Sequence, residues 1–155
     1  MLSGLNGRTQ HLTLTTLDVQ KIVDFYQGTL GFRLVDRVLH NDGRLATAFL
    51  TSNHEHHTLA CFQSEFQGVD HHSYEVGEWN LIRDWCDHFA RHDIQLEWGP
   101  GRHGPGNNLF VFISDPDGNW IEVSAELEVI YDRGVVDWPQ HPRTLNKWGR
   151  AIMRS

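Results

Sequence analysis

The stretches His11-Leu12-Thr13-Leu14-Thr15 and His72-Ser73-Tyr74-Glu75-Val76 decide how this chain is read. Each is a short run of strand-forming residues headed by a histidine, and each opens the same succession of patterns. A repeat is sought first because it sets the fold. After the first stretch, Asp18 is an N-cap residue type, and Val19, Ile22, Val23, Tyr26 and Leu30 recur at helical spacing up to Gly31. After the second, Asn80 can cap a helix with Leu81, Ile82, Trp85 and Phe89 on one face. Its end carries His88, Arg91 and His92, where positive charge suits the helix dipole.

Strand patterns follow each helix. In the first half they cover 32–39, 44–50 and 58–63, the first two joined by Asn41-Asp42-Gly43, a hairpin signal between apolar runs. In the second half they cover 94–98, 109–114 and 120–125. A glycine-rich loop over 99–106 and the turn Asp115-Pro116-Asp117-Gly118 separate them. Strand, helix and three strands, twice over, predict an α+β fold of two βαβββ modules at about 8–66 and 68–126. Their mixed β-sheet would curve into a cleft around a metal site. The C-terminal tail, about 127–155, reads as an extension packed on a single domain.

His11 and His72 hold the same place in their halves, so both imidazoles can point into one cleft. Glu122, in Trp120-Ile121-Glu122-Val123, points away from its apolar neighbours and needs a partner if buried, because a lone buried charge is costly. Singly, each residue has a plainer reading as a structural histidine or a glutamate on a wet face. Jointly, His11, His72 and Glu122 form a 2-His-1-carboxylate set, which leaves positions open on a divalent metal.

Composition bounds the rest. The chain has 155 residues, with 39% hydrophobic and 21% charged, enough for a core. A net charge of −7 argues against nucleic-acid binding, which needs clustered Lys and Arg. No run of about 18 apolar residues suggests a membrane span. The N-terminus lacks a signal-peptide pattern, and Cys61 and Cys86 do not make a disulfide framework. A cytoplasmic protein is the default expectation.

Several segments carry a family likeness: His11-Leu12-Thr13-Leu14, the run from Phe25 to Phe32, His71-His72, and Asp115-Pro116-Asp117-Gly118-Asn119-Trp120-Ile121-Glu122. Over about residues 10–126 the sequence resembles the vicinal oxygen chelate superfamily, and within it the type I extradiol ring-cleavage dioxygenases (the catechol 2,3-dioxygenase and dihydroxybiphenyl dioxygenase group) in a single-domain form. His57-Thr58-Leu59-Ala60-Cys61-Phe62 is similar to the segment holding that group's acid–base histidine. The run 99–108 is similar to its loop with a further active-site histidine, here His103. The intervals from His57 to His72 and from His103 to Glu122 fit the same pattern.

The resemblance implies Fe(II), or Mn(II), on His11, His72 and Glu122, with an aromatic diol and O2 as reactants and assembly into a homo-oligomer. His57 would exchange protons beside the metal, a role suited to an imidazole, and His103 would fix a substrate oxygen. Phe112 departs from the pattern: nine residues after the loop histidine the group usually has a tyrosine, and phenylalanine has neither donor nor acceptor. Arg102 is a candidate to meet a substrate carboxylate. Trp138 or Trp148 of the tail is a candidate cover for the pocket. Two alternatives stay open: a non-oxidative metalloenzyme of the glyoxalase or epimerase kind, which needs neither His57 nor His103, and a metal-free small-ligand binding protein.

Overall fold

The computed structural model describes residues 6–153. The first module runs β1 (Arg8–Thr16), α1 (Val19–Leu30), β2 (Arg33–Leu39), β3 (Leu45–Thr51) and β4 (Leu59–Gln63). The second runs β5 (Gly68–Glu75), α2 (Trp79–Arg91), β6 (Trp98–Arg102), β7 (Leu109–Ser114) and β8 (Trp120–Ala125). The tail adds β9 (Val136–Pro139) and a short α3 (Pro142–Leu145). The strands form a curved, open, mixed sheet in the order β6-β7-β8-β5-β1-β4-β3-β2-β9. The fold is therefore α+β, as the repeat predicts.

Each module has the same internal order. β1 pairs in parallel with β4 as β5 does with β8, and the modules join where β1 and β5 run antiparallel. The two histidine-bearing strands are thus side by side at the middle of the sheet. β9 lies parallel to β2 at the far edge, clamped by a bidentate pair from Arg37 to Asp137 at 2.7 and 2.8 Å.

Local chemistry explains the helices. Asp18 accepts from the Lys21 amide at 3.2 Å, and Gly31 ends α1 in the left-handed region at φ 73°. α2 begins two residues earlier than Asn80 predicts. Glu78 is its N-cap residue, and the Glu78 carbonyl accepts from the Leu81 and Ile82 amides. Both helices lie on one side of the sheet. Val19 and Val23 of α1 pack on Ala48, Leu50, Leu59 and Cys61. Ile82, Trp85 and Phe89 of α2 pack on Leu109, Val111, Val123 and Ala125. Fully burying one such aliphatic side chain stabilises by about 1.5–3 kcal/mol.

Strand alternation sends the other residues to the opposite, concave side. In β8, Val123 and Ala125 face α2, so Glu122 and Ser124 face the cleft. β6 differs from its predicted place at 94–98: it runs 98–102, through glycines read as loop. Ile94 and Leu96 are part exposed and bury no alternating face. The glycines instead let the strand lie tight on β7, since a Cβ on Gly101 would stand 2.5 Å from the Phe110 ring. Among the described residues, no helix is long and apolar enough to cross a membrane, and Cys61 and Cys86 are free thiols.

Candidate metal centre

Three strands bring His11, His71 and Glu122 together. His11 comes from β1, His71 from β5 and Glu122 from β8, and all three are buried. One donor atom from each lies within 4.8 Å of the others. The Nε2 atoms of His11 and His71 stand 2.9 and 3.3 Å from Glu122 Oε2. The other carboxylate oxygen accepts from Asn108 Nδ2 at 3.1 Å, and that amide also donates to Ser124 Oγ.

His72, expected as a ligand, is not in this group. Its ring packs edge-on to Tyr74, and in the parallel pairing of β5 with β8 it stands opposite Ile121, which packs on the helix side. His71 and Ser73 take the cleft side, Ser73 opposite Glu122. A shift of one residue in strand phase moves a side chain to the other face. The intervals counted to His72 therefore lead to a residue on the wrong side of the sheet.

The donor set fits a divalent ion. Two imidazole nitrogens and a carboxylate oxygen converge, and Glu122 is 1% exposed, with neutral-capable rings and one amide as its neighbours. Behind His71, Asp70 Oδ2 accepts from Nδ1 at 2.6 Å, which orients the ring and turns Nε2 to the cleft. His11 Nδ1 is buried without a hydrogen-bond partner. Burial works against charge on Glu122, yet His11 and His71 hold its carboxyl well below the usual carboxylate range. Burial also disfavours a charge on His71, but Asp70 and Glu122 overcome it and raise its pKa. On His11 burial wins, lowering its pKa despite Glu122.

His57 and His103 line the same cavity as these three residues. The His57 ring centre is 4.4 Å from that of His11, and burial, reinforced by His11 and His56, pushes its pKa well below the ordinary value. His103 stacks on Phe110 with ring centres 3.9 Å apart, and its Nδ1 donates to the Leu145 carbonyl at 2.5 Å. Its Nε2 lies 3.8 Å from Glu122 Oε1, and burial lowers its pKa to about 4. Phe112 presents its ring to the edge of His71 at 4.9 Å and stacks on Trp98. The remaining walls are largely apolar, with Phe49, Phe62 and Trp98 among them.

Three expected neighbours lie elsewhere. Arg102 turns away from the cavity: it donates to Glu126 and to the Asn107 carbonyl, each at 2.7 Å, and sits over the Trp148 ring. The tail does reach the cavity, but through Thr144, Leu145 and Ile152. Trp138 instead packs on the core beside β2, and Trp148 meets Trp79 at the surface. Asp70 and Asn108 were not singled out in the sequence. Asp70 had a signal, its adjacency to a histidine, whereas Asn108 had none in its loop of Gly and Pro.

The chain matches the family described as the Glyoxalase/Bleomycin resistance protein/Dioxygenase superfamily over residues 8–123. It is 34% identical over 126 residues to metapyrocatechase 2 of Cupriavidus necator, a match covering 81% of this chain and 38% of that protein. The chain thus spans well under half the length of that relative. In structure it resembles homoprotocatechuate 2,3-dioxygenase of Arthrobacter globiformis, with a TM-score of 0.85 and 27% identity, over 94% of this chain and 46% of the other. It equally resembles a Mn(II)-bound glyoxalase of Novosphingobium aromaticivorans, with a TM-score of 0.85 and 26% identity, over 95% and 48%. With the repeat, the cleft and the converging donors in place, the chain belongs to the glyoxalase/bleomycin resistance protein/dioxygenase superfamily.

Proposed function

We propose that this chain carries the catalytic site of an extradiol dioxygenase, which opens a catechol-type ring beside its diol and inserts both atoms of O2. The observation that carries the reading is the pair His57 and His103 on one apolar cavity with His11, His71 and Glu122. A Lewis-acid site alone needs no such pair. Likeness to a metapyrocatechase and to a homoprotocatechuate dioxygenase supports it. The proposed ligand set is His11, His71 and Glu122, for Fe(II) or Mn(II), and a N/O donor set suits either.

When bound, the metal supplies Lewis acidity to the diol oxygens and a redox centre for dioxygen. The residues do the rest. Apolar walls of Phe49, Phe62, Trp98 and Phe112 hold an aromatic ring and exclude water. His57, neutral at pH 7 because it is buried, takes a proton from a diol hydroxyl on a ring nitrogen. Diol and O2 together contain every atom of the ring-opened acid aldehyde, so His57 returns that proton before the product leaves. His103 is neutral too, and its Nδ1–H is spent on Leu145, so Nε2 accepts from the substrate's second hydroxyl. One carbon–carbon bond and the O–O bond break, and two carbon–oxygen bonds form.

The test is anaerobic loading with Fe(II) or Mn(II), followed by oxygen uptake with a panel of catechols. Oxygen consumption coupled to a yellow ring-fission product is the expected result. Stoichiometric metal with no oxygen uptake would favour a second reading, non-oxidative Lewis-acid chemistry. Phe112 and the likeness to a Mn(II)-bound glyoxalase favour that second reading.

A further inference from the structure

A chain of polar groups runs through the interior behind His57, and the metal chemistry does not use it. Asp36, in β2, is 1% exposed. Its Oδ1 accepts from Arg133 Nη1 at 2.8 Å and its Oδ2 from Trp138 Nε1 at 2.7 Å. His56, fully enclosed, places Nε2 2.9 Å from the same Oδ2, bent off the N–H line. On its other side, His56 Nδ1 lies 2.9 Å from His57 Nδ1. Neighbours in a regular strand face opposite ways. These two sit in the bend just before β4, so both rings turn inward.

The protons in this chain can be assigned from chemistry. Asp36, facing a guanidinium and an indole N–H, is ionised and can only accept. His56 therefore holds its proton on Nε2. With its ring proton on Nε2, His56 presents the Nδ1 lone pair, and the 2.9 Å contact between the two Nδ1 atoms takes its proton from His57. We propose that Asp36 and His56 are positioning residues that fix the ring orientation and tautomer of His57, with Nδ1–H toward His56 and the lone pair of Nε2 left for the cleft. Arg133 and Trp138 belong to the C-terminal extension, so the tail completes the device by anchoring Asp36. The role given to the tautomer rests on His57 as the proton-handling group of the proposed reaction. The tautomer itself does not depend on that reaction.

The test is long-range proton–nitrogen NMR on the full-length, nitrogen-15-labelled chain, loaded with zinc as a diamagnetic ion. It reads which nitrogen of each ring is protonated. The expected spectrum has His56 protonated on Nε2 and His57 on Nδ1. In Asp36→Asn, an Nε2–H form of His57 should appear, and kcat should fall at least about tenfold with KM and metal content unchanged. An unmutated protein with His57 protonated on Nε2 would overturn the proposal, as would an Asp36→Asn spectrum identical to the parent's. Where Asp36→Asn does not fold, the parent spectrum alone decides. Where no catechol is turned over, the spectrum still decides, so failure of the ring-cleavage reading is seen separately.

Discussion

His71 and His72 are adjacent in β5 and serve opposite faces of the sheet: His71 Nε2 stands 3.3 Å from Glu122, while the His72 ring packs on Tyr74. Stoichiometric binding of Fe(II) or Mn(II) should be lost in His71→Ala and kept in His72→Ala. Metal content after loading and desalting measures this directly. Equal loss in both variants would mean that the cleft is not the binding site.

Asp70 holds the ring of His71 through Nδ1 at 2.6 Å. Outer-shell carboxylates of this kind typically contribute about 10–100-fold in metal affinity. Asp70→Asn should weaken binding by that factor without unfolding the chain, because Asp70 is at the cavity wall and not in the apolar core. A competition titration against a metal-sensitive dye reads the change. Unaltered affinity would show that His71 is oriented by packing alone.

These two residues also show what a sequence can and cannot reveal. His11 and Glu122 were legible because Leu12, Leu14, Ile121 and Val123 set an unambiguous two-residue phase. Around His71 the run Asp70-His71-His72-Ser73 is polar throughout, so nothing local says which histidine turns inward. The phase is set at long range, by Ser73 lying opposite Glu122 and His72 opposite Ile121. Arg102 is a similar case, since its partner Glu126 stands across β6 and β7. The module repeat was legible because helix spacing, Gly31 and the Asp-Gly turns are local signals. β6 was not, because its glycines are there for close approach to Phe110 and look like loop in isolation.

Burial lowers the pKa of His103 to about 4. The unfolded chain takes up this proton near pH 6.5, so between about 6.5 and 4 the unfolded state binds more protons. Stability from this group is therefore complete above about pH 6.5 and falls as the pH drops toward 4, by about 3 kcal/mol at most. His71 has a raised pKa and acts with the opposite sign, adding stability that is lost as the pH rises. Urea unfolding of chelator-treated protein across this range, set against His103→Asn, isolates the effect. The variant should show a shallower loss in acid, and parallel curves would show that His103 is not the group responsible.

Arg102 pairs with Glu126 at 2.7 Å and donates to the Asn107 carbonyl. Arg102→Ala should leave the ranking of neutral and carboxylate-bearing catechols unchanged. It should cost roughly 0–1 kcal/mol of stability, the usual range for a partly exposed pair. A selective loss of the carboxylated substrates in kcat/KM would place the guanidinium in the cleft after all.

Phe112 is the residue whose replacement best separates the two enzymatic readings. It is 1% exposed, faces Glu122 across the β7–β8 pair, and lies against the ring of His71 in the cavity wall. Phe112→Tyr adds a hydroxyl to a ring of the wall that would hold the diol. One added hydrogen bond is worth about 0.5–1.5 kcal/mol, so kcat/KM for a catechol should rise up to about tenfold. The free protein should lose about 1–3 kcal/mol at most, the cost of a buried hydroxyl left without a partner. Steady-state kinetics with thermal unfolding reads both changes. A variant with unchanged or lower catechol turnover, whose parent isomerises a non-aromatic substrate without consuming oxygen, would show that the phenylalanine marks a Lewis-acid enzyme and that His57 and His103 serve a reaction other than ring cleavage.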